Sequence, residues 1–169
     1  MANRDTPIGF RTFGPVKSYR PYDIESATAC YINDVMMYGT LDSADGYVDP
    51  ATAGVLNLLG ASQNYHAANA GITTVIIADD PSQLFLAQDN AGATLTIANQ
   101  GDMGDFVAGS GSSTTLLSGH EINGATLGTT ETGFIVVDLD DRPDNAWGTW
   151  CDLIVKAYEH CYWGVGTAS

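Results

Sequence analysis

The sequence predicts an all-β protein, either a compact β-barrel or a sandwich. Two observations carry this. Short apolar or alternating runs rich in β-branched and aromatic residues recur along the chain, and no window repeats apolar residues at spacings of three and four over several turns. Glycine (19 residues), threonine, asparagine and aspartate also interrupt the chain too often for long helices.

The runs are 29–32, 35–38, 55–59, 73–78, 84–88, 95–98, 116–122, 134–139 and 153–158. The segment 54–65 fits a short helix or a strand equally by periodicity. Asp79, Asp80 and Pro81 should end the 73–78 strand, because the residue before a proline is driven out of the helical region and proline cannot donate to a sheet ladder. Asn123 and Gly124 suit a tight hairpin turn between the run ending at Ile122 and one starting near Thr126. The stretch 101–115, closing with GSGSSTT, reads as a flexible surface loop.

At 169 residues with 44% apolar content the chain matches one globular domain, able to bury a core without metal or disulfide. Its three cysteines cannot all pair within the chain, which fits a reducing compartment. The polar opening lacks the apolar centre of a signal peptide, and no run is long enough to span a bilayer. The expected protein is soluble and not exported. A net charge of −14 argues against nucleic acid as a partner, since phosphate binding needs a basic stripe.

The charge is unevenly spread. Four of the six basic residues, Arg4, Arg11, Lys17 and Arg20, lie in the first twenty positions beside one acid, Asp5, with Phe10, Phe13 and Pro15 between them. This predicts three regions: an extended basic arm over 1–20 that leaves an acidic body, a single β-rich domain over 21–163, and a flexible tail over 164–169.

Chemistry is sparsely signalled. His66, His120 and His160 are far apart with no second ligand at metal spacing. Asp138, Asp140, Asp141 and Asp144 form the best cation candidate but lack the calcium-loop pattern, so a solvated Asp-Arg-Pro-Asp turn is the better account. GSGSST lacks the phosphate-loop lysine, and no GxSxG elbow raises a serine as nucleophile. We expect no catalytic residues, no cofactor and no metal. Trp147, Trp150, Tyr158 and Trp163 crowd the C-terminal part and read as core or as a subunit interface; exposed, they would suit a sugar platform.

Several stretches occur in an order that resembles a known family: MANRDTPIGFRTFGPV at the start, TTVIIADDPSQLFLAQD in the centre, GSGSSTT followed by LSGHEIN, and DRPDNAWG followed by an apolar strand reaching His160. Together they resemble the small head proteins of tailed bacteriophages, the capsid decoration or cement proteins. The likeness touches most of the chain and is looser over 39–69 and at Glu159. It implies a non-enzymatic protein on the outer surface of the expanded head, assembled in the host cytoplasm. Its partners would be the major capsid protein and itself, commonly as homotrimers, with no nucleic acid and no membrane. On that reading Arg4, Arg11, Lys17 and Arg20 would dock the arm on acidic capsid patches, with Phe10 and Phe13 inserted between subunits. The rival expectations are a carbohydrate- or host-surface-binding β module, a tail or connector protein, and a small metal-dependent hydrolase.

Overall fold

The computed structural model describes residues 3–24, 27–39, 46–71, 73–129 and 132–163. Among these residues twelve strands follow in order: β1 (Arg11–Phe13), β2 (Tyr19–Ile24), β3 (Val35–Tyr38), β4 (Val48–Pro50), β5 (Leu58–Ser62), β6 (Thr73–Ala78), β7 (Leu84–Gln88), β8 (Met103–Gly104), β9 (Phe106–Val107), β10 (Glu121–Ile122), β11 (Phe134–Leu139) and β12 (Asp152–Ala157). The helical elements among the described residues are short 3-10 turns, none long and apolar enough to cross a membrane.

β2, β4, β3, β5 and β6 close into a barrel, and β1, β7, β12, β11 and β8 form a five-stranded sheet beside it, with β9 and β10 as a small separate pair. The all-β expectation holds, with a closed barrel as its centre. Side-chain alternation divides the apolar residues between two cores. Ile24, Met36, Val48, Leu59, Val75 and Ile77 fill the barrel interior. Val35, Met37, Leu58 and Ala61, their neighbours in sequence, meet Phe85, Val136, Leu153 and Val155 of the sheet in the second core. Gly60 lets β5 and β6 approach: its φ is +145°, and a Cβ there would lie 2.0 Å from the Ala78 carbonyl oxygen.

Two tight crossovers join barrel and sheet. One is the Asp79-Asp80-Pro81 turn, which ends β6 at Ala78 as expected. The other runs from β1 to β2. Buried Gln83 ties them together, accepting from the Lys17 backbone at 3.2 Å and donating to the Phe13 carbonyl at 3.1 Å.

Three local expectations are corrected and one open alternative is decided. Asn123 caps a 3-10 turn over Gly124–Thr126, because its side chain accepts from the Ala125 amide, so the pair is not a hairpin turn. The 95–98 run is not a strand: Thr96 and Asn99 form a reciprocal capping box around Ile97–Asn99. The 54–65 segment, open between helix and strand, contains the strand β5 over Leu58–Ser62. The 101–115 stretch is organised rather than slack. It contains β8 and β9, and Gly111 packs so closely on the Tyr31 ring that a Cβ would lie 2.2 Å from it.

The 1–20 arm is also corrected. β1 pairs antiparallel with β7, Arg11 opposite Leu86 and Phe13 opposite Leu84, while β2 already belongs to the barrel at Tyr19 and Arg20. Phe10 is fully buried against Phe134, ring centroids 4.4 Å apart, and Phe106, at 6.0 Å. An apolar residue flanking a strand gains more from its own core than from waiting for a partner. The tail at 164–169 lies outside the described residues.

Candidate binding cleft

The basic residues that the sequence groups together are divided by the fold. Lys17 donates to Ser82 at the crossover, and Arg20 lies on the barrel, its Nε 3.1 Å from Asp79 and its guanidinium 5.3 Å from the Tyr162 ring centroid. Phe13 is half-buried on the outer face of the sheet. Arg4 and Arg11 meet Arg142 around a cleft of about 460 Å³ that also holds Ile8, Leu86 and Trp150. Three of the four arginines of a −14 chain thus line one concavity.

The cleft has two walls, the N-terminal segment and the 142–152 loop, and side-chain amides hold them together. Asn3 donates to the carbonyls of Ala146 at 2.8 Å and Thr149 at 2.9 Å, and accepts from the Ala146 amide at 3.1 Å. Gln88, only 3% exposed, donates to the carbonyls of Arg4 at 2.8 Å and Trp150 at 3.1 Å, and accepts from the Thr6 amide at 2.8 Å. A buried amide with its hydrogen bonds satisfied, such as that of Gln88, fixes backbone geometry firmly.

Trp150 is the unusual member. Its φ of 53° is left-handed, a conformation that bulky residues rarely adopt, and its side chain is 37% exposed. The Asp89 carboxylate, accepting its amide at 3.3 Å, and Gln88, donating to its carbonyl, hold it there. The arginines differ in commitment. Arg142 faces Asp140 at 3.1 Å and Asp144 at 3.7 Å and contacts Asp152, whereas Arg4 and Arg11 make no ion pair among the described residues. Of the Asp138 to Asp144 run, Asp140 and Asp144 thus face the Arg142 guanidinium, and Asp138 accepts from its own neighbour, the Leu139 amide.

Of the expected interface aromatics, Trp147 is half-buried against the sheet core, while Trp150 and Tyr158 are exposed. The Trp163 side chain lies outside the described residues. Sequence reading missed Asn3, Gln88, Asp89 and Asp152. The signal for two of them was present, since Gln88 and Asp89 abruptly end the apolar run LFLA.

Two buried polar groupings lie elsewhere. His120 Nδ1 accepts the Val35 amide at 3.2 Å and its Nε2 faces Asp34 Oδ1 at 3.5 Å, so both ring nitrogens are committed to the fold. On the barrel, Asp79 accepts from Tyr22 Oη at 2.5 Å and from Tyr162 Oη at 3.4 Å. Among the described residues, no three His, Cys, Asp or Glu side chains gather as a metal site.

Near the cleft, the acidic groups make stability depend on pH. Loss of solvation, then Asp5 and Asp89, push the half-buried Glu121 carboxyl up to about 7, and burial pushes Asp89 up to about 6. The folded chain therefore keeps protons that the unfolded chain releases near pH 4. Their contribution is complete below that range and is lost as pH rises through about 6 and 7. His120 acts oppositely, since burial lowers its pKa and its contribution disappears as pH falls below about 6.5. Thermal melts of Glu121→Gln against wild type isolate the first effect. The variant should gain in Tm at pH 8 relative to pH 4; a constant difference would contradict the assignment.

No protein-family model matches this chain, and no match was found among curated proteins or solved structures.

Proposed function

We propose that the protein decorates the outside of an expanded bacteriophage head, binding the major capsid protein as a non-enzymatic stabiliser, as homotrimers over local threefold points. One observation carries the reading: the separated stretches on which the family resemblance rests meet in the fold. Asn3 of the opening stretch bonds the DRPDNAWG loop, Gln88 of the central stretch bonds both Arg4 and Trp150, and the Phe10 amide donates to Asn33 at 2.9 Å where Gly9 packs on Ser118 of LSGHEIN. Stretches that assemble into one unit are expected to be shared as one.

The body of the protein is strongly acidic, so attachment to an acidic shell needs a surface that locally reverses this sign. Arg4 and Arg11 on the cleft side of the sheet provide it. Purified protein should co-sediment saturably with heads that lack it, and Arg4→Glu combined with Arg11→Glu should weaken this at least tenfold without lowering Tm. Absence of saturable binding by wild type would overturn the proposal. Truncating residues 1–20 cannot serve as the test, because it removes Phe10 and β1 from the fold.

The exposure of Trp150 beside polar cleft residues favours one second reading, a carbohydrate- or host-surface-binding module. A saturable change in tryptophan fluorescence on titration with neutral glycans, lost in Trp150→Phe, would favour it over decoration.

A further inference from the structure

We propose that the cleft between the N-terminal segment and the 142–152 loop receives a short peptide segment carrying one carboxylate next to an apolar side chain. The inference rests on the decoration reading only in placing that segment on the capsid subunit; the cleft chemistry is argued from its own lining.

The electrostatic half of the recognition comes from Arg4 and Arg11. Both arginines are solvent-exposed and neither lies within 4 Å of a carboxylate among the described residues, although Arg11 is close enough to Asp152 to favour its charged form, while Arg142 beside them is committed to three aspartates. A planar guanidinium matches a carboxylate in fork geometry, and two such side chains line this cleft. Asp144 and Asp152 also line the cleft, and the chain carries −14 overall. A ligand with several negative charges would be repelled, which disfavours nucleic acid and polyphosphate; a single carboxylate satisfies the two arginines without that cost.

The apolar half comes from Ile8, Leu86 and Trp150. Leu86 is 2% exposed, whereas Trp150 is partly open, its left-handed backbone held by Asp89 and Gln88. A partly open aromatic side chain beside buried aliphatic surface suits an apolar side chain. The volume of about 460 Å³ falls within the roughly 300–1,000 Å³ of ordinary ligand clefts. Because Asn3 and Gln88 already tie the walls, little ordering is required when the ligand enters.

The test uses full-length protein and the peptide acetyl-Gly-Phe-Glu-Gly-amide, with acetyl-Gly-Phe-Gln-Gly-amide as its uncharged twin. The expected result is a saturable shift of the Arg4 and Arg11 Nε–Hε and Trp150 indole NMR signals by the Glu peptide. The Gln peptide should bind at least tenfold more weakly, and Arg4→Gln with Arg11→Gln should abolish the difference at unchanged Tm. Equal binding of the two peptides, or no shift of these signals, overturns the inference. Tighter binding of inorganic phosphate or glucuronic acid than of the Glu peptide overturns the peptide assignment in favour of those ligands. The two readings fail separately. Heads that bind wild type and the double variant equally would refute the placing of the segment on the capsid and leave decoration standing, whereas peptide binding without head binding would refute decoration and leave the cleft standing.

Discussion

Replacing Phe10 by alanine should lower stability by about 3–5 kcal/mol, the usual cost of emptying a fully buried phenylalanine site. Phe10 has no exposed surface and packs on Phe134 and, edge to face, on Phe106 in the larger core, so the truncation leaves a cavity between these rings. In a chain of this size the change corresponds to a Tm lower by roughly 10 °C. The experiment also decides the status of the N-terminal segment. A detached arm would show an unchanged Tm and lost capsid binding, whereas an integral strand gives a large stability loss. Phe13→Ala provides the internal comparison, because Phe13 is only half-buried on the outer face and its removal should cost less.

Replacing Asp34 by alanine should cost roughly 1–3 kcal/mol for each buried donor left without its acceptor, the Tyr31 amide and the neutral His120 Nε2–H. Asp34 is 3% exposed. Its carboxylate accepts the Tyr31 amide at 2.7 Å and faces His120 at 3.5 Å, and its backbone exchanges hydrogen bonds with Ser62. Three segments distant in sequence converge there: the turn before β3, the end of β5 and the LSGHEIN stretch. Denaturant unfolding at pH 7 measures the loss. Asp34→Asn should be milder, since the amide oxygen can still accept from Tyr31; equal losses for the two variants would show that volume, not hydrogen bonding, dominates.

Much of the strand pattern was legible because strand periodicity is a local property. The runs 35–38, 73–78, 84–88 and 134–139 coincide with β3, β6, β7 and β11, since alternation, β-branching and bounding turn residues act over a few positions. The failures at 95–98 and at Asn123 share one cause. A threonine or asparagine side chain took over a backbone amide, a competition that apolar patterning does not register.

The candidate site was only half legible. Arg4, Arg11 and Trp150 stood out by type, yet nothing local distinguishes Arg4 and Arg11 from Lys17 and Arg20, which the fold sends to other partners. Asn3 and Gln88 were silent because their role is to satisfy backbone groups more than sixty positions away.

The sequence by itself determined that the chain is all-β, that it is acidic, and where most strands run, because composition and short-range periodicity are enough for these. Only the tertiary structure decided that the first twenty residues are sheet and core rather than arm, and that Trp150 meets Arg4 and Arg11. Both depend on which distant surface each segment buries against, and the energy of burial is set by the partner, not by the segment alone.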